Sequence, residues 1–310
     1  MTDNKGIFTL SLDTELAWGM FDKDNVGDYE NAYRNTPDVV DHLCNMFDEY
    51  DISATWAIVS HLLMDCDKAH TDRTSPNFEW IDDWFAELPC VNGFDDVLWF
   101  APWLIDRLQA CETAQEIGLH GSTHMQLGAD GCSRQHAEEE IDVAVKTLRE
   151  HGLEPKSFVF PRNDVGHVDV LREHGIKVYR GRDAYWYERA SVPNIIKPPC
   201  RFVDEAVRGT PPVTEPIEHN GILEIPGSQT FRPSHDGWQY TPGECSVERA
   251  KKGLERAART GKTFHLWFHP FNLGHSPEKD CHRLERILMI VDELVREDLI
   301  KCVPMGEYSE

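Results

Sequence analysis

No stretch of this 310-residue chain approaches the roughly eighteen consecutive apolar residues that a membrane-crossing helix needs. Its N-terminus, Met-Thr-Asp-Asn-Lys-Gly-Ile-Phe, lacks a basic start and an apolar run before a cleavage site. No secretory signal is therefore expected, which places the chain in the cytoplasm as an expectation. The cysteines number nine and include no CxxC, so they read as scattered reduced thiols rather than a disulfide framework or a zinc-finger set. No GxGxxG follows the first strand candidate, and no HExxH occurs anywhere. The first absence removes the main support for a dinucleotide fold, the second the common metalloprotease reading. Positive charge is also scarce: 31 Lys and Arg face 54 Asp and Glu, a net charge of −23. Such a surface repels phosphate backbones, so nucleic acid is not an expected partner. The acids are spread along the chain and form no terminal tail, which speaks for a folded, salt-adapted surface. An ordinary acidic mesophilic enzyme is the alternative.

What is present is an alternation of short apolar runs with amphipathic helical stretches, the pattern of an α/β protein. Strands are predicted at Gly6–Leu12, Ile52–Val59, Glu116–Leu119, Lys156–Phe160, Ile176–Tyr179, Ile222–Ile225, Thr263–Phe268 and Ile300–Val303. Between them, Thr36 and Pro37 read as N-cap and first residue of a helix with Val39, Leu43, Met46, Phe47 and Tyr50 on one stripe. Ser133 caps a second, with Gly152 just past its end, and further helices are predicted at Val165–His174, Ser246–Thr260 (closed by Gly261) and Glu278–Glu297. Two stretches break the rhythm. Residues 61–112 are rich in Trp and Asp and read as an elaboration; residues 184–220 are Pro-rich, without periodicity, and read as a surface excursion. No linker splits residues 1–310, so one domain is expected. About seven strands with intervening helices close most naturally as a barrel, an open doubly wound sheet being the alternative.

Reactive groups in such barrels sit where strands end. Four predicted strand ends carry conspicuous polar residues: Asp13-Thr14-Glu15, His120-Gly121-Ser122-Thr123-His124, Pro161-Arg162-Asn163 and His269-Pro270-Phe271-Asn272. Two histidines three residues apart can present both imidazoles to one cation, and two His with a carboxylate form an open catalytic zinc set. The two acids after the first strand supply one carboxylate to ligate and one to act as a base. Arg162 reads as a guanidinium that pairs with a rim carboxylate such as Asp13, against the bland alternative of a solvated arginine. His269 reads as a proton donor to a leaving group, or else as a hydrogen-bonded strand-end histidine. His61, His265 and His275 read as structural.

In their order and spacing, Ser11-Leu12-Asp13-Thr14-Glu15, His120 to His124, Phe160-Pro161-Arg162-Asn163 and Phe268-His269-Pro270 resemble the polysaccharide deacetylases (carbohydrate esterase family four, the NodB homology domain). The likeness spans about positions 6–180 and 222–305. Within it, the chain is similar to a divergent branch with an acid-x-acid first motif, which includes deacetylase-like enzymes acting on non-peptide amides. Thr14 stands between the two acids where many members have adjacent aspartates. Gly121 stands where Ser or Thr is common, and Arg162 follows its proline where an arginine before the proline is frequent.

The resemblance implies a distorted (β/α)7 barrel, here with insertions near 61–112 and 184–220. It implies a divalent cation held by Glu15, His120 and His124, zinc first, with cobalt, nickel or iron accepted by the same ligands. Asp13 is then the base, Arg162 its partner and His269 the acid, in a metal-assisted hydrolysis that removes an N-acetyl or other acyl group from a sugar. Strand alternation independently puts Asp13 and Glu15 on one side with Thr14 turned away. The expected substrate is a carbohydrate, and a cytoplasmic nucleotide- or lipid-linked sugar suits a chain without a signal better than an extracellular polymer. Tryptophans of the 61–112 segment offer flat surfaces to sugar rings, or else core packing. A C–N hydrolase acting on a small cyclic amide is the first alternative, an inactive barrel serving as a binding protein the second.

Overall fold

The computed structural model describes residues 5–23, 26–64, 73–89, 96–189 and 191–309. Parts of the 61–112 elaboration, with Cys66 and Cys90, lie outside them, and the seven described cysteines are free thiols. Ten strands are described: β1 Gly6–Thr14, β2 Thr55–Ile58, β3 Glu116–Leu119, β4 Ser157–Val159, β5 Val178–Gly181, β6 Ile217–His219, β7 Ile222–Pro226, β8 Gln229–Thr230, β9 Thr263–Phe268 and β10 Ile300–Cys302. They form one sheet in the order β6-β7-β5-β4-β3-β2-β1-β9-β8, with β10 paired to β1 off this path, parallel except for β6 against β7. Only Gly227 and Ser228 separate β7, which pairs with β5, from β8, which pairs with β9. One run of chain thus spans the seam between the two ends of the sheet. The result is the distorted (β/α)7 barrel expected from the sequence.

Strand β1 is the hub. On one side β9 follows it from Ile7 to Leu12. On the other, β10 pairs with Gly6–Phe8 and β2 takes over at Ser11–Thr14. Every second residue points to the same face, and β1 uses both. Phe8, Leu10 and Leu12 face outward into the large core beneath the helices, where Val39, Leu43 and Phe47 of the helix Thr36–Glu49 are also buried. Thr9, Ser11 and Asp13 face the barrel interior. Ala57, Val159, Val178, Ile225 and Met305 make a small, separate apolar cluster, in which Ala57 is the register partner of Asp13.

Most predicted elements keep their place, with trimmed ends. Ser133 accepts from the His136 backbone while the His136 ring accepts in return, and the helix runs Arg134–Glu150. Gly261 closes the helix Cys245–Thr260 in the left-handed region, φ 68°. Asn35, not Thr36, occupies the N-cap position of the first long helix, because the Thr36 hydroxyl donates to the Ala32 carbonyl instead. The excursion 184–220 contains a helix that periodicity did not announce, Lys197–Ala206. Its side chains Phe202 and Val203 are exposed, and ion pairs of Arg201 with Glu188 and of Arg249 with Glu205 tether it. Phe202 stacks on the half-buried Trp238 rather than entering the core, so the helix leaves no burial pattern to read.

Candidate active site

The C-terminal ends of β1, β3, β5 and β9 converge on a cleft of about 780 Å³. Asp13, Glu15, His124, Arg162 and His269 line it, and His120 lies directly behind, buried. Glu15 follows the last residue of β1 with φ −132° and ψ −14°, already outside strand geometry. Its Oε2 nonetheless lies 3.0 Å from Nε2 of both His120 and His124. The three ligand atoms fall within 4.8 Å of one another. Nδ1 of His120 is 2.8 Å from the Val159 carbonyl oxygen, a contact that makes Nδ1 the protonated nitrogen and leaves the Nε2 lone pair aimed at Glu15. The tautomer, the buried carboxylate and the common focus suit a divalent cation bound by one carboxylate and two imidazoles.

The loop that carries the two histidines is shaped by a buried acid from the following helix. Glu140, fully buried, accepts from the Ser122 and Thr123 backbones at 2.8 and 2.5 Å and pairs with Arg73 at 2.6 Å. Gly121 has φ 82°, and a Cβ there would stand 3.1 Å from Oε1 of Glu140. That accounts for glycine where the resembled motif commonly has Ser or Thr. His124 itself has φ 62°, a left-handed conformation that a non-glycine residue adopts at a cost of about 1–2 kcal/mol. Gly19 matters in the same way: a Cβ would sit 2.0 Å from Oε1 of Glu15.

The predicted pair between Arg162 and Asp13 does not form. Arg162, in a turn with φ 55°, extends to the Gly19 carbonyl and pairs with Asp22 at 2.5 Å. Both carboxylate oxygens of Asp13 are occupied instead by Arg180, from β5, at 2.6 and 2.6 Å. Arg180 is fully buried, also donates to Ser11 at 3.1 Å and Asn163 at 3.0 Å, and lies 4.2 Å from the Trp267 ring centre. Burial alone would raise the Asp13 carboxyl, but Arg180, His120 and His269 hold it below its ordinary range. Glu15 lies well below its range, the nearby histidines outweighing burial. Burial pulls His124 down, whereas in His120 the bond to Glu15 overrides burial and raises it. His269 places Nε2 3.7 Å from Asp13 Oδ2 and 3.6 Å from Glu15 Oε1, with Asn272 Nδ2 3.3 Å from its Nδ1.

Several solved structures share this architecture. A Mycobacterium smegmatis protein assigned as a polysaccharide deacetylase superposes with a TM-score of 0.62 at 13% identity, over 100% of this chain and 91% of that one. A Pseudomonas aeruginosa PAO1 protein with the same assignment gives 0.60 at 13% identity over 100% and 91%. Puue allantoinase gives 0.58 at 13% identity, again over 100% and 91%. At these identities the likeness is one of fold. No family model matches the sequence, and no curated protein does.

Two residues of the site went unread in the sequence. Arg180 closes an apolar strand, and a cation at such a strand end was the available signal. Trp267, on β9, lines the cleft and donates to Asp183 at 2.8 Å. Of the tryptophans in the 61–112 segment, Trp84 and Trp99 take the core alternative and are buried, Trp84 donating to the Thr123 hydroxyl at 2.9 Å. Trp80 remains 43% exposed, stacked on Phe78 and bonded to Asp22. His61 and His265 are buried, the latter 2.8 Å from the Ser11 hydroxyl; His275 packs on His235 outside the cleft.

Proposed function

We propose that this protein is a metal-dependent hydrolase that removes an N-acetyl or related acyl group from a sugar or glycan precursor. The observation that carries the reading is a clamped carboxylate, Asp13, and an imidazole, His269, both flanking the Glu15–His120–His124 cluster in one cleft. Simple binding needs neither group. A divalent cation held by the cluster would supply Lewis acidity to a water and to the acyl carbonyl. Asp13, kept ionised and oriented by Arg180, accepts the proton of that water. His269 donates a proton to the departing amine, which an amide needs because unprotonated nitrogen leaves poorly. Arg162 stands at the cleft wall with Asp22 and helps shape it. The deacetylase assignments of the two fold neighbours accord with this chemistry. No described helix is long and apolar enough to cross a membrane.

A second reading, hydrolysis of a cyclic amide at the same groups, draws on the likeness in fold to Puue allantoinase, at a TM-score of 0.58 against 0.62 and 0.60 for the other two. Metal analysis followed by acetate and amine release from a panel of N-acetyl sugars and cyclic amides separates the readings. Chelation is expected to abolish release, and zinc or cobalt to restore it. Full turnover in chelated protein would remove the mechanism. Release confined to cyclic amides would favour the second reading, and none on either class would leave a binding protein.

A further inference from the structure

The chain carries 54 acids against 31 Lys and Arg, yet the cleft reverses that balance. Six cations line it (Lys23, Arg162, Arg182, Lys197, Arg201 and Arg232) against five acids. Two of those acids, Asp13 and Glu15, are already engaged by Arg180 and the paired imidazoles. Arg162 and Arg182 are matched by Asp22 and Asp164. Lys23, Lys197, Arg201 and Arg232 remain against Asp183 and Glu188, and Arg201 and Arg232 share a side cavity with those two acids. Lys197 and Arg201 lie one turn apart on the helix Lys197–Ala206, a like-charge spacing that destabilises a helix unless something answers it. Arg201 gives Nε and Nη2 to Glu188 at 2.5 and 2.7 Å, which leaves Nη1 over. Among the described residues, the Lys197 ammonium and the Arg232 guanidinium have no hydrogen bond or ion pair. Arg232 is half-buried, with its guanidinium 4.3 Å from the Trp238 ring centre. Holding an unpaired guanidinium partly out of water is costly unless a ligand restores its hydrogen bonds. Planar forks and an ammonium around one cleft wall are groups that recognise phosphate.

We infer that Lys197, Arg201 and Arg232 form an anion subsite, and that the acylated sugar this protein binds carries a phosphate or diphosphate there. The substrate class rests on the acyl-sugar reading given above, whereas the anion site rests only on the charges and their partners. Calorimetric titration at constant ionic strength tests it with N-acetylglucosamine, N-acetylglucosamine 1-phosphate, its nucleoside diphosphate conjugate, and a short-chain lipid diphosphate conjugate in detergent. At least one phosphorylated probe is expected to bind about tenfold or more tightly than the neutral sugar, in line with charge-assisted bonds to a guanidinium. Which conjugate binds tightest identifies whether the phosphate comes from a free, nucleotide-linked or lipid-linked sugar. Arg232→Gln and Lys197→Ala should each cut that preference several-fold without weakening the neutral sugar. Circular dichroism monitors the fold of Arg232→Gln, and Lys197, at the start of an outer helix, can be truncated without touching the core. Equal binding of neutral and phosphorylated sugars would overturn the inference. So would a preference untouched by both variants, since the phosphate would then be held elsewhere. If the preference and its loss are observed while no acyl group is released, the subsite stands and the hydrolase reading falls.

Discussion

At the scale of single residues, the site turns on how two carboxylates two positions apart are treated differently. Asp13 meets a buried guanidinium, and Glu15 meets two imidazoles. Asp13→Asn is therefore expected to keep the cation and to lose activity by about 10²–10⁴-fold, the usual worth of a general base. Glu15→Ala should lose metal and activity together. Elemental analysis of the two purified variants checks the division, and a metal-free Asp13→Asn beside a metal-loaded Glu15→Ala would exchange the roles. Arg180 and Arg162 make a second contrast. Removing the buried partner in Arg180→Met strands the Asp13 charge, a loss of about 3–5 kcal/mol in denaturant unfolding. In folded Arg180→Met the Asp13 carboxyl should rise, because only burial and weaker charges remain. As the proposed base Asp13 has to be ionised, so the acid limb of the rate profile, set below the ordinary carboxylate range in the wild type, should move up towards neutrality. Arg162→Met, which breaks only a rim pair, should leave that limb in place. A shift in Arg162→Met and none in Arg180→Met would return the clamp to the residue expected from sequence.

Among the elements, the histidine loop owes its shape to the helix Arg134–Glu150 through Glu140, and to the backbone freedom of Gly121. Gly121→Ser restores the residue common in the resembled motif, yet here it forces a side chain into φ 82° and against Oε1 of Glu140. The expected loss is about 1–2 kcal/mol of stability, with weaker metal retention on dialysis. A variant as stable and as metal-loaded as the wild type would show that the loop relaxes freely. The helix Lys197–Ala206 illustrates the opposite case, an element whose position comes from charges. Its tethers, Arg201 to Glu188 and Arg249 to Glu205, join residues far apart in the chain. Neither tether has a local signature. The strands were far more legible, because burial on both faces demands continuous β-rich runs, as β1 and β9 show.

For the whole molecule, closure and charge are the governing facts. The run from β7 through β8 joins the two ends of the sheet, so the rim groups of β1, β5 and β9 are held on one frame. A net charge of −23 acts against that compactness by self-repulsion, which salt screens within about 10 Å at 0.1 M. Melting temperature is accordingly expected to rise with KCl up to molar concentration. A flat or falling curve would mean that the acids are placed so as to avoid one another, and that the acidity is not an adaptation to salt.

The amino-acid order alone determined the alternation of strands and helices, and with it the convergence of Asp13, Glu15, His120, His124 and His269. In a parallel barrel every strand end reaches the same rim, so motifs far apart in sequence meet without further instruction. Local spacing also predicted that the two acids would serve one cleft. What the chain order did not reveal is which arginine holds Asp13. Arg162 and Arg180 both close apolar strands, and only the turn after β4 and the inward face of β5 decide between them. Nor did composition show that cations slightly outnumber acids along the cleft of an acidic protein, since net charge is a sum over the surface and a cleft is a selection from it. Pairing choices of that kind depend on distances set by packing, which are properties of the closed barrel and of no single segment.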